Sequence, residues 1–144
     1  MNIFTIGFTK TSADNFFGRI ERSGARSLVD VRLNNQSQLA GFAKNLDLKF
    51  FLDRLLNVSY RHESELAPTQ EMLSAYRKKE MSWSEYEAEY LALLNTRDIA
   101  SKFQTEDFEN ACLLCSEDTA HMCHRRLLAE YLTKNWSGVK IIHL

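Results

Sequence analysis

The chain has 144 residues, 44% of them hydrophobic, with 18 basic and 19 acidic side chains and a net charge of -1. That length gives one domain enough interior for a sizeable core, and a single proline with five glycines excludes a disordered or low-complexity chain. The even charge balance implies no strongly basic face of the kind that holds duplex DNA through its backbone, and leaves a local basic patch open.

Short β-rich runs alternate with helical patterns. Ile3-Phe4-Thr5-Ile6 reads as a first strand closed by Gly7. Ser12 to Arg22 reads as a helix with Phe16, Phe17 and Ile20 on one face, stopped by Gly24. Ser27 to Val31 is nearly continuous in apolar character, which fits a strand covered on both faces. Arg32 to Asn45 is a long polar loop, a feature often functional in compact domains. A helix from Leu46 to Leu55 and a third strand from Val58 to His62 follow.

Thr69 to Lys79 is helical. Ser84 and Glu87 have the spacing of a capping box, so a helix is expected from Ser84 to Leu94. A short helix covers Asp98 to Thr105, Ala111 to Cys115 is the fourth strand, and Val139 to His143 is the last. Between those strands Thr119 to Asn135 reads as a helix, with His124, Leu127, Leu128, Tyr131 and Leu132 along one stripe. The alternation predicts a Rossmann-like, three-layer α/β domain with a mostly parallel sheet of about five strands. The whole chain, 1–144, reads as one domain, and 68–105 as a helical insertion or cap within it.

Cys112, Cys115 and Cys123 are an odd set without a signal peptide, which speaks against a disulfide framework. The N-terminus lacks the basic start of an export signal, and no apolar run approaches the length of a membrane helix. The expectation is a reduced, soluble, cytoplasmic protein that makes no membrane contact; the sequence leaves its oligomeric state open.

Ligands of an open parallel sheet bind beyond the carboxyl ends of its strands. Those ends offer Gly7, then Arg32, then His62, Glu63 and Glu65, then Cys115 and Glu117. Asp30 and Arg32 share one strand face. A buried carboxylate needs a partner, so a structural ion pair and a phosphate-gripping arginine held by Asp30 stand about level. Cys115 reads first as a buried, inert thiol and second as a nucleophile beside a cation. Glu117, at a strand-to-helix turn, suits general acid or base work, against the plainer reading of a solvated loop acid. His124 lies on the apolar stripe and reads as a satisfied core histidine, while Arg125 stands where backbone amides of a helix start bind anions. Cys115, His121, Cys123 and His124 lack the paired spacings of structural zinc, so no metal is expected, and no cofactor.

These motifs resemble the domain-of-unknown-function family number 488. Thr5-Ile6-Gly7-Phe8 resembles its first strand and turn, and Asp30-Val31-Arg32 its second-strand signature. Ser37 and Gly41-Phe42 resemble its polar loop, His62 with Glu65-Leu66 its third-strand exit, and Cys115-x-Glu117 followed by Cys123-His124-Arg125 its most specific signature. The resemblance implies a site of Arg32, Cys115, Glu117, His124 and Arg125, with Gly7, Asp30 and Ser37 beside it, and supplies no reaction. The loop after Arg32 departs from the family in lacking a proline and a serine-arginine pair, and Ala40 and Ala67 replace its usual proline and glycine, which implies the loss of a phosphate-gripping cation. The residues lead to an enzyme acting on an anionic, phosphate-bearing substrate such as a nucleotide or a nucleic-acid end. The alternative is a non-catalytic nucleotide or nucleic-acid binding module. A sulfur-carrier role at Cys115 ranks below both, because no glycine- and arginine-rich loop follows to cradle a persulfide.

Overall fold

The computed structural model describes residues 1–36 and 40–144, so Ser37 lies outside the described residues. Five strands, β1 (Asn2–Gly7), β2 (Ser27–Asp30), β3 (Ser59–His62), β4 (Ala111–Cys115) and β5 (Lys140–His143), form one sheet in the order β3-β2-β4-β1-β5. Every pairing is parallel. Helices α1 (Ala13–Ser23), α2 (Asn45–Phe51), α3 (Gln70–Arg77), α4 (Trp83–Thr96), α5 (Ile99–Lys102) and α6 (His124–Asn135) lie between the strands in the chain and cover both faces. The result is a three-layer α/β fold.

Alternation along the strands sorts the core into two. Phe4, Ile6, Leu28, Cys112 and Leu114 pack with Phe16 and Ile20 of α1 and Leu48 of α2. Ile3, Val29, Leu113 and Cys115 pack on the other side with Met72 of α3, Tyr86, Tyr90 and Leu94 of α4, and Leu127 and Leu128 of α6. The chain therefore leaves β1 and β4, which are neighbours in the sheet, toward opposite faces. Such a divergence opens a crevice at the carboxyl ends of the two strands. In register those ends are Gly7 and Cys115, and β2 lies on the far side of β4.

Local chemistry sets the helix ends. Ser12 caps α1 by accepting the Asn15 amide, and Gly24, at φ 73°, closes it. The capping box of α4 is Ser82 with Glu85, two residues earlier than expected from Ser84 and Glu87. The run Ser82-Trp83-Ser84-Glu85-Tyr86-Glu87 contains both frames. The earlier one places Trp83 in the first turn, where its ring stacks on Tyr86 with centroids 5.3 Å apart. The last helix begins at His124, not at Thr119, because residues 116–123 run as a turn-rich loop before it. Among the described residues no helix is long and apolar enough to cross a membrane.

Candidate functional site

Arg32, Cys115, Glu117 and His124 line one cavity of about 170 Å³ at the β2–β4 carboxyl ends. Leu33 and Asn34 of the loop after β2, Leu73, Tyr76 and Arg77 of α3, Tyr86 of α4, and Met122 and Cys123 of the loop before α6 complete it. The three aromatic and cationic residues from 76 to 86 were not legible from the sequence, because only the packing of α3 and α4 against this end of the sheet brings them in.

Asp30 and Arg32 form a bidentate pair at the floor. Arg32 Nε donates to Asp30 Oδ1 at 2.8 Å and Nη2 to Oδ2 at 2.7 Å, with both residues buried. Nη2 also donates to the Ala43 carbonyl, and the guanidinium lies 5.0 Å over the Phe8 ring. Asp30 accepts a further bond from the Tyr60 hydroxyl at 2.7 Å, which in turn accepts from Asn35. Burial and the Asp30 charge push the Tyr60 phenol well up, so it stays a donor. One edge of Arg32 is left over. Its Nη1 is buried and has no hydrogen-bond partner among the described residues. A guanidinium with a spare edge, in a residue that lines a cavity, can serve an anion by its charge and planar geometry.

Cys115 stands across the cavity, at the end of β4. Its Sγ lies 3.5 Å from His124 Nδ1, and His124 Nε2 lies 2.8 Å from the Val31 carbonyl oxygen. A carbonyl only accepts, so Nε2 carries a hydrogen and Nδ1 is the nitrogen that exchanges a proton with the thiol. The Tyr90 ring meets His124 edge to face at 5.6 Å and keeps the imidazole in that orientation. The stripe position of His124 thus agrees with a buried histidine, and the same orientation makes it the thiol's proton partner.

The Cys115 thiol is held below its usual range. The hydrogen bond with Cys123 is the main cause, helped by the Arg125 charge and by the Ser116 and Glu117 amides, and opposed by burial. Cys123 is pushed up by the same bond and by burial, and so keeps its proton. Cys112, on the opposite face of β4, is raised by burial alone among apolar side chains. The three thiols therefore differ in kind.

Arg125 is 1% exposed and does not line the cavity. Its Nη1 donates to the Glu117 carbonyl and, at 3.6 Å, to Cys123 Sγ. It ties the loop 116–123 to the start of α6 and lends positive potential to both sulfurs. Gly7 stands where a Cβ would come within 1.5 Å of the Glu117 carbonyl oxygen. Glycine is thus required for the loop to cross the end of β1. The Glu117 side chain itself is exposed at the cavity mouth.

Cys115, Cys123 and His124 present ligand-type atoms all within 4.8 Å of one another. That spacing suits a soft metal ion, yet the fixed Arg125 charge in contact with Cys123 Sγ opposes a divalent cation there. The donor set is better matched to thiol chemistry.

The model of the family described as domain of unknown function DUF488 matches residues 12–132. The chain belongs to that family. The matched span carries Asp30, Arg32, Cys115, Glu117, Cys123, His124 and Arg125, while Gly7 lies before it. No curated protein and no solved structure matches the chain.

Proposed function

We propose that this DUF488 protein is a thiol-dependent enzyme acting on a small phosphate-bearing substrate, such as a nucleotide or the end of a nucleic acid. One observation carries the reading: buried Arg32, whose Nη1 has no hydrogen-bond partner among the described residues, lines the same cavity as the Cys115–His124 pair. The cavity is large enough for a phosphate group and too small for a whole nucleotide, so the rest of the substrate extends past Glu117 and Met122. Arg32 binds the phosphate through Nη1 while Asp30 holds its other edge. Cys115 gives its proton to His124 Nδ1 and attacks the phosphorus as thiolate, so that an S–P bond forms as the P–O bond to the leaving group breaks, and water later cleaves the S–P bond and frees the thiolate. Glu117, at the mouth, gives or takes the proton of the leaving or entering group. Residues 68–105 act as a cap whose Tyr76, Arg77 and Tyr86 wall the site.

Pyrophosphate is the first probe. It raises the melting temperature of the wild type, and Arg32→Lys, which keeps a charge beside Asp30 but loses the planar fork, removes the rise. Arg126→Ala, which loses only a partly exposed pair with Glu130, keeps it. Equal shifts in Arg32→Lys and wild type would falsify the anion site. Turnover of phosphate-bearing compounds that vanishes in Glu117→Gln while binding persists supports the enzyme. Binding in the wild type without turnover of any of them would leave the non-catalytic module instead.

A further inference from the structure

Two of the three cysteines share the cavity, and nothing in the proposed reaction uses the second. Cys123 Sγ lies within 4.8 Å of Cys115 Sγ, although eight positions separate them in the chain. Cys115 is the last residue of β4 and Cys123 immediately precedes α6, so neither sulfur is fixed by a position inside a helix. The loop between them is pinned at Ser116 and Glu117 and turn-rich beyond, so the small approach that a bond requires falls on residues 118–122. Both residues line the cavity, whose volume of about 170 Å³ admits a small hydroperoxide.

We propose that Cys115 and Cys123 form a peroxide-oxidisable dithiol, with Cys115 the sulfur that is attacked and Cys123 the one that resolves it. The Cys115 thiolate attacks one oxygen of a hydroperoxide, the O–O bond breaks, and the departing oxygen leaves as an alcohol or water after taking a proton. Cys115 is thereby oxidised by two electrons to a sulfenic acid. The Cys123 sulfur then attacks that sulfur, an S–S bond forms, the S–O bond breaks, and hydroxide leaves as water with the Cys123 proton. A dithiol reductant returns both sulfurs to the starting state. The division of labour follows from the surroundings: the hydrogen bond from Cys123, with Arg125 and the loop amides, favours charge on Cys115, while the same bond and burial leave the proton on Cys123, which loses it in the second step. Cys112 takes no part, since it packs against the opposite face of the sheet. The inference uses the same thiolate as the proposed enzyme and needs no phosphate-bearing substrate.

The reduced full-length protein is treated with equimolar hydrogen peroxide, unreacted thiols are blocked, and the chain is cleaved after glutamate. Cleavage after Glu117 puts Cys115 and Cys123 on separate peptides. The expected result is a loss of two hydrogen masses, a fall from three free thiols to one, and a dithiol-reversible link between those peptides. In Cys123→Ser the same treatment leaves a sulfenic acid on Cys115 that a cyclic 1,3-diketone captures. Unmodified thiols, a Cys115 sulfinic acid beside a free Cys123, or a link between two chains would each overturn the proposal. Residues 110–117 carry both Cys112 and Cys115, so fragment-ion sequencing must place the remaining free thiol at Cys112, and with that the wild-type map decides even if the variant does not fold. A linked pair in a protein that pyrophosphate does not stabilise would uphold this inference and sink the phosphate reading.

Discussion

At the scale of single residues, the decisive feature is how much is invested in holding one arginine. Asp30 sits at the end of β2 with no exposed surface, and Arg32, Tyr60 and the Arg32 amide all donate to it. Breaking such a pair by removing one partner leaves an uncompensated buried charge, at a cost of about 3–5 kcal/mol. Asp30→Asn is therefore expected to lower unfolding stability by that amount in urea, with pyrophosphate stabilisation lost as Arg32 is released. A loss below about 1 kcal/mol would mean that the guanidinium finds water or another acceptor, and the preorganised anion site would go with it. The pairing of Asp30 with Arg32 was legible, because two residues along a strand share a face. Tyr60 was not, since its approach to Asp30 depends on β3 lying beside β2. The expected phosphate grip of Arg125 was a reasonable reading of a cation at a helix start. Its contacts with Glu117 and Cys123 follow only from a helix that begins at His124 rather than Thr119.

At the scale of elements, the crossing of β1 by the loop 116–123 organises the site. Phe8 and Thr9 amides donate to the Ser116 carbonyl, the Thr9 hydroxyl does the same at 2.9 Å, and Arg125 holds the next carbonyl. Gly7→Ala would thrust a methyl group into the Glu117 carbonyl, and backbone must move to admit it. The expected cost is about 1–3 kcal/mol, together with a slower reaction of Cys115 with iodoacetamide as the loop amides move away. Gly41→Ala, with nothing among the described residues within 4 Å of the added carbon, is the control and should be near neutral. If Gly7→Ala matched Gly41→Ala in melting temperature and labelling, the loop would not be held by this contact. The sequence places Gly7 at a strand end beside the site, but not the loop that crosses it. Strands were read to within a residue or two because their apolar runs are short and bounded by glycine or charge. Helix starts were read less well where two capping frames overlap, as at Ser82 and Ser84, or where a polar loop imitates a first turn, as before His124.

At the scale of the whole molecule, the layer arrangement was legible and the strand order was not. Alternating elements imply parallel strands, but only long-range packing decides that β4 inserts between β1 and β2 and so brings Cys115 beside Gly7 and Arg32. The face of the sheet that carries the site is covered by α4, whose Tyr86 and Tyr90 are buried next to Cys115 and His124. Burial pushes both phenols far up, with the neighbouring Tyr86 and Cys115 adding to the effect at Tyr90. A folded-state pKa raised above the unfolded value of about 10 contributes stability that is complete below that value and is lost as pH rises beyond it. Cys112 acts in the same direction from the ordinary thiol value of about 8.5, because it too must stay neutral when folded. Cys115, held low, has the opposite sign: its contribution is present above the ordinary thiol range and fades as pH falls through its folded value. The alkaline side is therefore the weak one. Melting temperature should hold up to about pH 9 and drop steeply beyond about pH 10, with tyrosinate absorbance rising in step with loss of helix signal. Tyr86→Phe removes one of the ionising groups without disturbing the Tyr90 bond to the Leu66 carbonyl. It should shift the alkaline limb to higher pH while leaving the neutral melting temperature nearly unchanged. Tyrosinate absorbance that rises well before the helix signal falls would mean that these phenols ionise inside the folded protein, and that α4 lies open over the site rather than sealing it.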